Sequence, residues 1–172
     1  LQQTSLKADF TTKPGGGHTL NYGLNALYYF LDPGSFLPLD NRSLVVPDML
    51  QRERAVETAV YLGDTWEITP EFSIEAGIRY GFYTALGPKD YYTYAPDVPK
   101  SKETRTDSLS LGSGKMVAPY HAPEFRISAR YAFTGDFSIK AGFNSMRQNI
   151  HMLSNTTVIS PTDIWKLSDA NI

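Results

Sequence analysis

Five charged residues set the chemistry this chain can do. Glu75 and Arg79 are four apart, as are Arg126 and Arg130, and Lys140 follows. On a strand, residues an even number apart share a face. The five therefore build a charged, hydrogen-bonding wall, suited to holding water, a solute or another protein domain. Cross-strand charge pairing on any wet sheet accounts for the same residues. The uniformly apolar faces opposite them favour a lumen lining. A second group, Tyr91, Tyr92, Tyr94 and Trp165, sits in polar, turn-rich stretches. Aromatic rings there suit a grip on a ligand such as a sugar, and equally suit simple loop packing.

Other chemistry finds no support. No serine lies in a G-x-S-x-G elbow. Asp64 and Glu67 are three apart at a strand end and splay rather than converge. No catalytic residue and no cofactor is assigned. His18, His121 and His151 are scattered, with no HExxH spacing, and cysteine is absent. That removes thiolate ligands and disulfides, and no metal site is expected. Met146, His151 and Met152 invite a copper site, but no repeat supports it. The glycines of Thr12-Lys13-Pro14-Gly15-Gly16-Gly17 lack the Lys-Ser/Thr and helix of a phosphate cradle. Asn155-Thr156-Thr157 has the form of a glycosylation acceptor.

The charged wall must be carried by strands. Phe72, Ile74, Ala76, Ile78, Tyr80 and Phe82 alternate with Ser73, Glu75, Gly77, Arg79, Gly81 and Tyr83. This gives one strand with an apolar and a polar face. Full charge on one face and aromatics at both ends of the other fit lipid outside and a wet lumen inside. The expected fold is all-β, an antiparallel up-and-down meander of about six strands forming a segment of a transmembrane β-barrel. The strands fall at about 4–11, 19–31, 55–66, 72–83, 124–133 and 137–149. In the second, Leu20, Tyr22, Leu24, Ala26, Tyr28 and Phe30 form the apolar face. In the third, Val56, Thr58, Val60 and Leu62 do so, and Asp64 shares their parity at the membrane boundary, where a charge costs about 0–1 kcal/mol.

Long connections are expected at 32–54, 85–122 and 152–172, with a short helical turn at Pro47–Glu53. Short turns join the strands within each hairpin. All short connections fall on one side and all long ones on the other, the asymmetry of outer-membrane barrels. No apolar run approaches the roughly 20 residues of a membrane helix. A barrel escapes that scan because half of each spanning strand is polar. The 11 Tyr and 9 Phe suit interfacial girdles, and a net charge of −2 gives no footprint for nucleic acid.

Several stretches carry a resemblance. Tyr61, Asp64, Trp66, Ile68-Thr69-Pro70, Gly77 and Arg79-Tyr80 resemble a barrel hairpin of the TonB-dependent receptors of the bacterial outer membrane. Residues 18–36 (HTLNYGLNALYYFLDPGSF), 126–144 (RISARYAFTGDFSIKAGFN) and 150–168 (IHMLSNTTVISPTDIWKLS) extend the likeness over essentially the whole chain, toward the receptors of Bacteroidetes in particular. The resemblance implies a barrel of about 22 strands around an N-terminal plug. It further implies uptake of a scarce nutrient (a metal chelate, cobalamin or a glycan) energised by the TonB complex. The implied partners are membrane lipid, the plug, the remaining strands, TonB through the N-terminal part, and an unidentified small molecule.

The chain starts at Leu1 without a signal-peptide profile and ends in loop-like sequence, so it reads as an internal segment of a longer protein. Two other readings stand beside this one: an adhesion or structural barrel without transport, and a soluble β-sandwich binding module. The sandwich predicts apolar faces packed on one another in a closed core.

Overall fold

A computed structural model describes residues 1–44, 46–101, 103–154 and 163–169. The acceptor sequence at 155–157 and much of the 152–172 connection lie outside the described residues. The elements are β1 (Gln2–Gly15), β2 (His18–Leu31), β3 (Ser35–Phe36), β4 (Asp48–Met49), β5 (Glu53–Glu67), β6 (Phe72–Leu86), β7 (Lys89–Tyr94), β8 (Arg105–Leu111), β9 (Met116–Ala132), β10 (Ser138–Ser145), β11 (Ile150–Leu153) and β12 (Ile164–Leu167). The fold is all-β. Six strands form one antiparallel sheet in the order β1-β2-β5-β6-β9-β10, a meander interrupted by the two-stranded hairpins β3–β4 and β7–β8 and followed by a third, β11–β12.

Register carries the alternation across the sheet. Tyr22 pairs with Leu62, Leu62 with Ile78, and Ile78 with Phe125, so the apolar parity of each strand meets that of its neighbour. The result is one continuous apolar face, and none of the described residues forms a second layer on it. Leu6, Val60, Ile127 and Phe143 are 69, 59, 53 and 64 % exposed, whereas the faces of a closed sandwich core would bury such residues. Phe72 and Phe82 mark the ends of this face on β6. Ten residues of strand, tilted as in barrels, give a belt about 25 Å tall. Phe72, Tyr131, Phe133 and Phe137 form a chain of ring contacts at the short-turn rim. At the opposite rim the Arg54 guanidinium lies 5.6 Å from the Phe30 ring, its charge beside an interfacial aromatic.

The short turns are locally encoded. Thr69-Pro-Glu-Phe72 and Thr134-Gly-Asp-Phe137 are the same device. In each, the threonine hydroxyl accepts the phenylalanine N–H, at 3.1 Å in both. At the first turn Gly15, Gly16 and Gly17 all have positive φ. The Gly17 carbonyl also accepts the Glu67 N–H at 2.9 Å, and a Cβ there would lie 2.3 Å from the Glu67 oxygen. Gly17→Ala combines backbone strain with this clash. It should destabilise the protein by about 1–3 kcal/mol, read from thermal unfolding of the complete receptor.

The long connections depart from expectation. The stretch 85–122 is not irregular: it holds β7, β8 and the first half of β9, which starts at Met116 rather than near 124. The stretch 32–54 carries the β3–β4 pair and the start of β5. Strand pairing, not a helical turn, occupies Asp48–Met49. β10 ends at Ser145, not 149. Beyond it the Arg147 N–H donates to Glu124 Oε1 at 3.2 Å and Asn149 Nδ2 to Glu57 Oε2 at 3.0 Å, drawing the chain across the polar face. Within 152–172, Ile164–Leu167 pairs with Ile150–Leu153. This hairpin packs on the inner parity of the sheet. Leu167, 1 % exposed, joins Tyr29, Leu31, Ala55 and Tyr83 in the main buried cluster. A second cluster of Ala85, Tyr91 and Val117 seats the β7–β8 hairpin.

Candidate functional site

The polar parity forms one charged face of the sheet, opposite the apolar one. From β5 it presents Glu57 and Tyr61, from β6 Glu75 and Arg79, from β9 Glu124, Arg126 and Arg130, and from β10 Lys140. At its centre Arg79 reaches across two strands at once. Its guanidinium donates to Glu57 Oε1 at 2.8 Å and to Glu124 Oε2 at 2.9 Å. Both glutamate side chains are 13 % exposed, against 30 % for Arg79, so the triad is half withdrawn from water. Such charge-assisted bonds hold three strands in one geometry.

Of the five wall residues singled out in the sequence, Glu75 and Arg126 meet at 3.1 Å. Ser128 Oγ donates to Glu75 at 3.5 Å. Arg79 pairs instead with Glu57 and Glu124. Arg130 and Lys140 face each other in the register, like charges side by side, with no ion pair among the described residues. Glu57 and Glu124 were missed as site residues, although parity reveals them: Glu57 lies on the face opposite Val56 and Thr58. A hollow of about 290 Å³ opens over this wall, bordered by Tyr61, Glu75, Arg79, Arg126, Asn144 and Met146.

A second charged group ties down the far end. Glu53 receives Lys89 Nζ at 2.6 Å, the Leu167 N–H at 2.8 Å and Lys166 Nζ. Asp169 receives the same two lysines at 2.8 and 2.7 Å. Two cations balance two carboxylates, which a buried cluster requires. Burial works against the Lys89 charge, but hydrogen bonds to Asp169 and Glu53 outweigh it and raise its pKa. Burial, helped by Asp169 and Glu53 and opposed by Lys166, pushes the Tyr91 hydroxyl up to about 12. Both raised groups stabilise the β7 attachment fully below their ordinary values. For Tyr91 that stabilisation is lost as pH rises from 10 through about 12. A tyrosinate absorbance titration, taken as the difference from Tyr91→Phe, should show this late step; a step centred at 10 would refute it.

The four outer aromatic candidates lie on strands rather than in loops. Tyr91 is buried in the second cluster. Tyr92 and Tyr94 share the other face of β7, with Arg105 3.7 Å and Lys100 5.9 Å from their ring centres. Trp165 is on β12, opposite Met152 and apart from the tyrosines. The histidines are each engaged separately: His18 with Asp64 at 2.7 Å, His121 with the Tyr80 hydroxyl at 2.6 Å, and His151 with Ser168 Oγ at 3.1 Å. Among the described residues no three candidate ligands gather for a metal. Asp64 sits on the outward parity near the short-turn rim, its charge met by His18, whose ring stacks on Trp66.

A single-layer sheet with an apolar belt outside and ion-paired charge inside is the wall of an outer-membrane-type β-barrel. The sequence matches the family described as TonB dependent receptor-like, beta-barrel, over residues 2–163, and the chain belongs to that family. Members of the family are receptors and transporters of the outer membrane. No curated protein and no solved structure matches the chain.

Proposed function

We propose that this chain is part of the barrel wall of a TonB-dependent receptor, of the type found in Bacteroidetes. The receptor sits in the bacterial outer membrane and takes up a metal chelate, cobalamin or a glycan. The observation that carries this reading is the division of one sheet into an exposed apolar face and a charged inner face. Glu75, Arg79, Arg126, Arg130 and Lys140 then line the lumen and meet the plug or the passing solute. The unmatched positive pair Arg130–Lys140 suits a carboxylate from the plug or from a strand beyond β10. Tyr92, Tyr94 and Trp165 face the exterior as ligand contacts, with Tyr91 anchoring their hairpin. TonB acts through the plug side of the complete receptor.

Sidedness tests the reading. The chain has no cysteine, so a single one can be placed at will. In the complete receptor in intact cells, Val98→Cys between β7 and β8 should react with an impermeant maleimide. Gly135→Cys, in the turn before β10, should react only after the outer membrane is opened. The reverse pattern, or equal reaction at both, would sink the orientation. Loss of nutrient accumulation on collapsing the proton gradient, with surface binding kept, separates an energised receptor from a passive or adhesive barrel.

A further inference from the structure

A cavity of about 460 Å³ lies between the inner wall and the chain that crosses it. It is lined by Tyr83, Tyr120, Arg147, Asn149, Ser168 and Asp169 among others. Its volume is within the range of small-molecule sites, about 300–1,000 Å³. We propose that this cavity is a binding site for a small carboxylate-bearing solute, with Arg147 as the residue that reads the carboxylate.

The polar groups of the lining are mostly spent. Asp169 is held by Lys89 and Lys166. Asn149 donates to Glu57, and the Tyr83 hydroxyl donates to the Ser168 carbonyl at 2.8 Å. Arg147 differs. Its backbone N–H is fixed by Glu124 Oε1, but the other oxygen of that carboxylate is held by Arg79. Its guanidinium lies 5.2 Å from the centre of the Tyr120 ring, with one long contact of 3.5 Å to the Pro123 carbonyl. It has no ion-pair partner among the described residues. With Nη1 on that carbonyl, the Nε–Nη2 edge stays uncommitted among the described residues, beside the ring; such an edge is preorganised for a planar, two-point acceptor, and a carboxylate is that acceptor.

The wall itself is bent at this place. The β6–β9 register shifts between Tyr83 and Ala85, so that Ala118 and Pro119 together oppose Thr84. Ala118 has φ 45°, the left-handed region that alanine avoids. Thr84, 2 % exposed, fills the bend and donates to the Val117 carbonyl at 3.2 Å. Bulges and strained non-glycine residues gather where a site needs a side chain re-aimed. Here the bulge immediately precedes Tyr120, the ring that carries Arg147.

The assignment rests on the receptor reading only in taking the cavity to open toward the exterior. Succinate and its uncharged isostere succinamide test it on the complete, detergent-solubilised receptor by calorimetric titration. Succinate should bind saturably and succinamide should not. Arg147→Met should weaken succinate binding about 10- to 100-fold. Arg147→Lys, which keeps the charge and loses the fork, should fall between, and Tyr120→Phe should stay near the parent. Arg147 is exposed, so these variants should fold, as heat-dependent gel mobility will show. Equal binding of succinamide, unchanged succinate binding in Arg147→Met, equal displacement by inorganic phosphate, or no saturable succinate binding would each overturn the assignment. The labelling pattern of Val98→Cys and Gly135→Cys is independent of all four, so failure here is distinguishable from failure of the receptor reading.

Discussion

Ile78→Arg should destabilise the membrane-inserted protein by about 2–4 kcal/mol, while Leu20→Arg should cost about 0–1 kcal/mol. Both residues lie on the outward parity. Ile78 is near the middle of the apolar belt, between Leu62 and Phe125 in the register. An arginine there must carry its charge into hydrocarbon or drag water after it. Leu20 sits opposite Asp64 near the short-turn rim, where a new cation gains a carboxylate partner. Denaturant unfolding of the complete receptor in lipid vesicles reads the difference. Equal costs at the two depths would mean that the face does not meet lipid.

The second large effect is on the inner face. Arg79→Met leaves Glu57 and Glu124 without their shared cation, in a wall where each is only 13 % exposed. Breaking a buried pair costs about 3–5 kcal/mol; the partly wet setting reduces this to about 2–3 kcal/mol. The triple replacement Glu57→Gln, Arg79→Met, Glu124→Gln removes both stranded charges and should recover most of the loss. Thermal unfolding of the two variants decides the matter. If Arg79→Met were neutral, water in the lumen would be screening the carboxylates, and the triad would serve solute contact rather than the wall.

What the sequence made legible follows from where lipid lies. Lipid demands an apolar residue at every second position, so β2, β6 and the distal half of β9 are written in period two. Arg79 was visible by the same rule, because a charge on the inner parity stands out against Ile78 and Tyr80. Its partners were less visible, since Glu57 and Glu124 belong to other strands and only register brings them together. β7, Lys-Asp-Tyr-Tyr-Thr-Tyr, and β8, Arg-Thr-Asp-Ser-Leu-Ser-Leu, were hidden because they form a hairpin of their own off the six-stranded sheet. With water or protein on both sides, the alternation has no reason to be strong. β12 was hidden for a further reason: the inward fold of its hairpin depends on Glu53, more than a hundred residues earlier.

The strand order also says something about how such a wall is made. Among the described residues β1 and β10 end the sheet, and each turns half of its peptide groups outward with no neighbouring strand there. Among lipid chains every such group costs several kcal/mol, which over a strand as long as β1 adds up to tens. A path that inserts these hairpins one after another into bare bilayer therefore climbs an enthalpic barrier that rises with each exposed seam. The lower path keeps the growing edges hydrogen-bonded throughout, by templating each new strand on one already placed and sealing the ring last. Biogenesis of this wall is in that sense a problem of seam protection.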